Sequence, residues 1–224
     1  MKLSKIIVAG LAVLSCGCLV QSVNAIPTLT LSDGTTTIMV MDNGVGDLDP
    51  TLGSVVFNGA VGSNFNINTS AGLTKPGDGS ASAPAIDLSS LNHALGAGTL
   101  TITFSETGFT AFPGILTGNV GGTIAVGGSL TNIVMQNALN LVTNGPFGPG
   151  PFSGSGSAAL IDGAPYSLTQ TAILTFGARG GMISFDAAGT VPPSVPDGGM
   201  TVTMLGIGLL AVGAARRIYR RATV

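Results

Sequence analysis

The chain has 224 residues and a formal net charge of −2, but its charges are unevenly distributed. Residues 26–199 hold all ten acidic side chains and two of the eight basic ones, so this segment carries a net charge of −8 and offers no basic patch to a nucleic acid. Charged residues make up 8% of the chain, against about 25% in an ordinary soluble domain. Serine, threonine, asparagine and glycine must therefore supply most of the surface polarity.

The N-terminal 25 residues have the three parts of a secretory signal peptide. Two lysines precede an apolar stretch over 6–20, and small residues lead up to Ala25. This order predicts a signal helix over 1–25 that enters the secretion translocon and is cut by signal peptidase between Ala25 and Ile26. A lipoprotein modified at Cys16 or Cys18 is the competing interpretation. Cleavage after Ala25 removes both cysteines, so the mature body would contain no disulfide and no thiol nucleophile.

Residues 26–189 alternate apolar and polar side chains with a period of two, which predicts an all-β domain. We expect an antiparallel β-sandwich of about ten strands, opening with a hairpin around Asp33-Gly34. The remaining strands are predicted over 55–61, 65–68, 99–104, 124–126, 130–135, 157–161, 166–176 and 182–187. Glycine pairs at 127–128 and 180–181 and Asp162-Gly163 are predicted turns between strands, and a short helix is predicted over Ser89–Leu95.

An acidic segment follows the first hairpin and is the best candidate for metal binding. It contains Asp42, Asn43, Asp47 and Asp49 around two glycines. Three carboxylates and an amide can supply the hard oxygen ligands that Ca²⁺ requires, and no other cofactor is expected. The segment departs from an EF-hand loop, because glycine occupies the third position and no glutamate ends the loop. The alternative is an Asn-Gly turn with solvated acids.

Catalytic candidates are scarce, and we assign no catalytic residue. His93 is the sole histidine, with Asp87, Ser89 and Ser90 close in sequence, but sequence adjacency does not supply the geometry of a hydrolytic triad. A glycosidase needs two carboxylates across a cleft, so Glu106, the only glutamate, would have to face an aspartate.

A segment rich in glycine and proline, residues 145–152, is predicted to be a long exposed loop. A functional alternative is a contact loop that presents Phe147 and Phe152. A second proline-rich segment, residues 190–199, is predicted to be a stiff spacer that carries a short motif at its end.

The C-terminal thirty residues have the order of a sorting tail. The motif consists of Val195, Pro196, Asp197, Gly198 and Gly199, and an uncharged apolar run over 200–215 follows it. The run is predicted to form a single transmembrane helix of roughly 24 Å, slightly short of a ~30 Å hydrocarbon core. A basic tail over 216–224 comes last and should stay in the cytoplasm, with the stop formed by Arg216, Arg217, Arg220 and Arg221.

This tail resembles the VPDSG-CTERM signal, a relative of the PEP-CTERM tails of exopolysaccharide-producing bacteria. Val195, Pro196, Asp197 and Gly199 match the motif, whereas Gly198 stands where the family has serine. The resemblance implies export, an inner-membrane-anchored precursor, cleavage near the motif by an exosortase-type enzyme, and release to the cell surface or extracellular matrix. The body is similar to β-rich domains found ahead of such tails.

The sequence therefore predicts an exported, non-enzymatic protein of the cell surface or biofilm matrix, associated with exopolysaccharide. The first alternative is an extracellular carbohydrate-binding or adhesion module. That class usually presents a strip of aromatic side chains, but the chain has no tryptophan and two tyrosines. The second alternative is a secreted glycan-acting enzyme that uses Glu106.

Overall fold

The computed structural model describes residues 26–125 and 127–193, together with residues 203, 205–207 and 209 of a C-terminal helix. The described body consists of twelve β-strands, whose bounds are β1 Thr28–Ser32, β2 Thr37–Met41, β3 Ser54–Val61, β4 Phe65–Thr74, β5 Ala85–Ala94, β6 Gly98–Phe109, β7 Ile115–Ile124, β8 Ser129–Gln136, β9 Leu139–Phe147, β10 Gly150–Ala159, β11 Tyr166–Phe176 and β12 Gly181–Thr190. The predicted signal helix and most of the predicted transmembrane helix lie outside the described residues. Within the described part of the chain, no helix is long and apolar enough to cross a membrane.

The strands form two six-stranded antiparallel sheets. Sheet A has the order β2-β1-β6-β11-β8-β9, and sheet B has the order β10-β7-β12-β5-β4-β3. The buried side chains of both sheets form one apolar core between them. The predicted all-β, sandwich-like antiparallel fold is confirmed, with twelve strands instead of about ten.

Alternation along the strands decides which side chains enter the core. In β6, Leu100, Ile102 and Phe104 are fully buried, while the intervening threonines lie on the outer face. β11 was expected over 166–176 and has those bounds. Because every second residue of a strand points to the same side, the threonine and serine positions of these strands become the outer surface of sheet A.

The helix predicted over Ser89–Leu95 is wrong, because the segment belongs to β5. Its inward positions include Ser90 and Asn92, which are polar, so the period-two pattern is hidden in the sequence. Ser90 is buried, and its hydroxyl oxygen lies 3.1 Å from the carbonyl oxygen of Thr69 and 2.9 Å from Asn92 Oδ1, either of which can accept its one proton. Hydrogen bonding thus satisfies polar side chains at the inward positions of β5, where an alternating strand usually has apolar residues.

The long loop predicted over residues 145–152 is also wrong, because β9 and β10 are separated only by residues 148–149. Two of the three glycines of β10 are positions where a neighbouring side chain packs against the backbone. A Cβ at Gly154 would stand 2.6 Å from the Phe147 ring, and one at Gly156 would stand 2.9 Å from Val142. Phe147 and Phe152 stack on each other at 4.7 Å and pack against the core, so they do not form a contact loop.

Three predicted turns connect the two sheets and are not hairpins. The connection through residues 127–128 leads from β7 in sheet B to β8 in sheet A, and those through 162–163 and 180–181 also cross between sheets.

The last strand extends slightly further than predicted, because β12 ends at Thr190. Val191 is buried and its N–H donates to the carbonyl of Pro84 at 2.9 Å, so the folded domain extends past the predicted boundary at 189.

Candidate functional site

The predicted sorting motif, Val195 to Gly199, lies outside the described residues, as do the predicted signal cleavage site at Ala25 and the four arginines of the tail. The structure describes the chain up to Pro193, two residues beyond buried Val191. Helical residues are described again at 203, 205–207 and 209, within the predicted apolar run. The motif therefore follows almost directly on the last buried residue of the domain.

Glu106 forms an ion pair inside the domain. Its side chain is 1% exposed, and its Oε1 lies 3.0 Å from Nζ of Lys75. The same oxygen accepts the N–H of Thr107 at 2.7 Å, while Lys75 Nζ donates to the carbonyl of Thr107 at 2.7 Å. Lys75 also lies 4.8 Å from the ring centroid of Phe109. Burial raises the pKa of Glu106, and the lysine and the Thr107 N–H oppose that rise. The Glu106 carboxylate is thus held in a buried ion pair with Lys75 and is not presented to a cleft.

In the acidic segment 42–53, the aspartate side chains accept hydrogen bonds from nearby N–H and hydroxyl groups. Asp47 accepts the N–H groups of Val56 at 2.9 Å and Asn43 at 2.8 Å, and Asp42 accepts the N–H of Gly53 at 2.8 Å. Asp49 accepts the hydroxyl of Ser54 at 2.7 Å. Among the residues that the structure describes, no group of three His, Cys, Asp or Glu side chains is arranged to hold a metal ion. The carboxylates therefore act as caps that fix this connection between β2 and β3.

His93 is exposed on the outer face of β5, six residues from Asp87 on the same face. Six residues of a strand span about 20 Å, so the two side chains are not neighbours. Ser90 lies on the opposite, buried side. The structure does not bring together the triad that these residues would require.

A pair of carboxyl groups that the sequence did not reveal lies on the outer face of sheet B. The register places Asp87 opposite Ala188 and Ser89 opposite Asp186, so the two aspartates are diagonal neighbours on adjacent strands. Burial, followed by the charges of Asp186 and Asp78 and a hydrogen bond with Asp186, raises the pKa of Asp87 to about 7. Only the pairing of β5 with β12 brings these groups together, and no local sequence signal marks it.

We expect Asp87→Asn to stabilise the protein at and above neutral pH. Because the pKa of Asp87 is raised on folding, its contribution to stability is complete below about pH 4 and is lost as the pH rises to about 7. The gain from the substitution should therefore grow from pH 4 to pH 7 in urea unfolding followed by circular dichroism.

Asp33→Asn is the matched control for this prediction. Hydrogen bonds from Thr36 and Thr35 lower the pKa of Asp33, so this variant should lose stability at neutral pH instead of gaining it. Parallel pH profiles for Asp87→Asn and the unmodified protein would contradict the raised pKa of Asp87.

The outer face of sheet A is uncharged. The only charged residue in its six strands is Glu106, which is buried. We call this outer surface of sheet A the threonine face. One row of paired residues across five of its strands consists of Met39, Thr30, Thr103, Thr171 and Ile133. The hydroxyls of Thr103 and Thr171 lie 3.2 Å apart. In the described part of the chain Phe112 is the one clearly exposed aromatic side chain, and it lies outside this face.

Several solved structures are similar to this chain at low identity. TmCBM61 in complex with β-1,4-galactotriose is 7% identical, with a TM-score of 0.32 and coverage of 66% of this chain and 88% of that chain. The isomalto-dextranase of Arthrobacter globiformis T6 complexed with panose is 11% identical, with a TM-score of 0.26 and coverage of 74% and 34%. The GH31 α-xylosidase of Xanthomonas citri is 11% identical, with a TM-score of 0.22 and coverage of 76% and 19%. Similarities this low do not bear on function.

No curated protein matches the sequence. One family model does match, and it is the VPDSG-CTERM motif over residues 194–219. The matched range covers the motif at Val195 to Gly199, the apolar run and the first two arginines of the tail. The predicted resemblance is confirmed: the C-terminal segment of this chain is a VPDSG-CTERM motif.

Proposed function

We propose that this protein is exported, anchored in the inner membrane by its C-terminal tail, cut near Val195–Gly199 by an exosortase-type enzyme, and released as a non-enzymatic component of the cell surface or exopolysaccharide matrix. The observation that carries the proposal is the VPDSG-CTERM match at residues 194–219, directly after a folded β-domain. Such a tail is a sorting device, so its presence argues for processing outside the cytoplasm.

The junction between domain and tail suits cleavage. Val191 is the last buried residue among those that the structure describes, and Pro192 and Pro193 are exposed. A chain with prolines at 192, 193 and 196 favours an extended conformation of about 3.1 Å per residue. Cleavage at the motif would remove no residue of the β-sandwich, because β12 ends at Thr190.

A structural role for the domain is supported by how its acids are used. Glu106 is paired with Lys75, and the carboxylates of segment 42–53 cap backbone N–H groups. A glycan-acting enzyme requires two carboxyl groups facing a substrate cleft, one of them protonated. The only carboxyl pair described above, Asp87 with Asp186, lies on the outer face of a sheet.

Processing is tested by expressing the full chain in a host with an exosortase and measuring the intact masses of the secreted and membrane pools. We expect a released form that begins at Ile26 and ends between Val195 and Gly199. Pro196→Ala should leave the protein in the membrane pool with its arginines, because it alters the motif. Pro193→Ala is the matched control, a proline two residues before the motif, and should be released normally. Release of both variants, or of neither the variants nor the unmodified chain, would contradict the proposal.

Binding of a neutral polysaccharide is a second candidate, favoured by the threonine face. This surface presents hydroxyl and methyl groups without charge, which suits an uncharged hydroxylated polymer. It carries no aromatic platform, so any contact would depend on hydrogen bonds and aliphatic surface. Retardation of the released protein in gels containing a neutral glucan, with none in gels containing an acidic one, would favour this candidate.

A further inference from the structure

One end of the sandwich is the point from which the tail departs. Thr190, the last residue of β12, is opposite Thr117 at the start of β7 and Ala85 at the start of β5. The segments 42–53, 75–84, 110–114 and 160–165 connect strands at this same end. We call it the exit end.

Exposed apolar side chains are concentrated at the exit end. Of the twelve exposed large apolar side chains in the described β-sandwich, nine lie there. Leu48, Leu52 and Ile161 are 63%, 64% and 60% exposed, and Phe112 is 44% exposed. At the opposite end, the exposed large apolar side chains are those of Leu95 and of Met182, the second residue of β12. Exposed apolar side chains that gather on one part of a surface point to interaction with a partner or a membrane.

Hydrogen bonds tie two of the loops at the exit end, 110–114 and 160–165, to neighbouring segments. The N–H of Thr110 donates to the carbonyl of Ala81 at 2.6 Å, and the hydroxyl of Tyr166 donates to the carbonyl of Ala111 at 3.0 Å. The N–H of Ile161 donates to Oε1 of Gln136 at 2.8 Å. The backbone near Phe112 and Ile161 is therefore anchored to the domain, while both side chains are exposed.

The length of the segment between the domain and the apolar run limits how far the exit end can be from a membrane. Eight residues, 192–199, separate Val191 from the apolar run that begins at Met200. Eight extended residues span at most about 28 Å. When the apolar run is in a bilayer, Val191 at the exit end is within about that distance of the lipid surface.

We propose that the exit end rests on the bilayer while the tail is intact, with its exposed apolar side chains in the lipid interface. This inference rests on the proposed function, because it needs the tail to be anchored in the membrane. The acids at this end, which include Asp47, Asp49 and Asp162, outnumber its one base, Lys75, and Lys75 is paired with Glu106. Contact is thus apolar, and zwitterionic lipid should be favoured over anionic lipid.

The test uses the full chain, with Cys16 and Cys18 replaced by serine, reconstituted in phosphatidylcholine vesicles. Single cysteines introduced as Leu48→Cys and Ile161→Cys at the exit end, and as Leu95→Cys at the opposite end, receive an environment-sensitive fluorophore. Leu95 is the matched control, because it is 69% exposed. We expect the fluorophores at 48 and 161 to show blue-shifted emission and quenching by a nitroxide on the lipid chains, and the one at 95 to show neither.

Three outcomes would overturn the inference. If all three fluorophores report water, the tail is a tether and the end is free. If emission is blue-shifted at 48 and 161 without lipid quenching, the end contacts another protein copy. If quenching increases when anionic lipid replaces phosphatidylcholine, the contact is not apolar. Retention of the protein in the membrane after carbonate washing is measured separately, since its loss would contradict the proposed anchoring itself.

Discussion

Replacing Lys75 by methionine is expected to lower the free energy of unfolding by about 3–5 kcal/mol at pH 7, the usual cost of leaving a buried charge without its partner. Glu106 is 1% exposed, and Lys75 supplies its ion pair at 3.0 Å. Methionine keeps the length of the stem and its contact with Phe109 but removes the charge. Urea unfolding of the variant and the unmodified protein, followed by circular dichroism, measures the loss.

The pH dependence of that loss identifies its cause. Burial already raises the pKa of Glu106, and removing Lys75 takes away a contact that lowers it. The variant should recover stability as the pH falls, because a protonated carboxyl group needs no counter-charge. Arg179→Met is the matched control: Arg179 is the only other base of residues 26–199 and is exposed, so its loss should change stability by no more than about 0.5 kcal/mol. An equal loss at pH 4 and pH 7 would refute the electrostatic explanation.

Phe104→Ala is expected to destabilise the domain by about 3–5 kcal/mol, the range for removing a buried phenylalanine ring. Phe104 is among the largest fully buried side chains, and its ring lies directly over the backbone of Gly72 in the facing sheet. Truncation leaves a cavity between the two sheets, at a place where neighbouring strands restrict collapse. Calorimetric and urea unfolding of the same variant provide the measurement.

A second substitution tests whether the contact between the two sheets is specific. A Cβ at Gly72 would overlap ring carbons of Phe104, so Gly72→Ala alone should cost about 1–3 kcal/mol through overpacking. In the Phe104→Ala background the added methyl group has room, and the two effects should be clearly non-additive. Gly121→Ala is the control, because the nearest atom to its Cβ is the carbonyl oxygen of Phe152 at 3.6 Å. Additive effects of Gly72→Ala and Phe104→Ala would show that the ring does not require the glycine.

Sequence alternation was sufficient wherever the inward positions are apolar. β6 and β11 alternate leucine, isoleucine and phenylalanine with threonine and serine, and both were predicted as strands. It failed where the inward positions are polar or have no side chain. In β5 the inward positions include the polar residues Ser90 and Asn92, and in β10 they include Gly154, which faces the Phe147 ring, and Gly156, which faces Val142. Such strands depend on neighbours that are distant in sequence.

The same distinction applies to the candidate sites. The tail could be predicted because its motif, apolar run and arginines are contiguous, and the family match agrees. The sequence left two interpretations of the acidic segment, a Ca²⁺ site or a turn. Composition alone does not reveal that the N–H of Val56, nine residues away, donates a hydrogen bond to the Asp47 carboxylate. The pair of Lys75 with Glu106 joins the only lysine of residues 26–199 to the only glutamate of the chain. That scarcity was a signal, but the sequence did not indicate that the two are in contact.

The positions of the last two strands determine when the domain can form. β11 lies between β6 and β8 in sheet A, and β12 lies between β5 and β7 in sheet B. Until residues 166–190 have emerged from a translocating chain, each sheet consists of two separate halves with unpaired inner edges. Contacts of this sequence separation also slow folding. For a chain exported from its N-terminus, completion of the fold would therefore coincide with the arrival of the tail. A truncation before Gly181 would remove β12 and leave the inner edges of β5 and β7 exposed to aggregation.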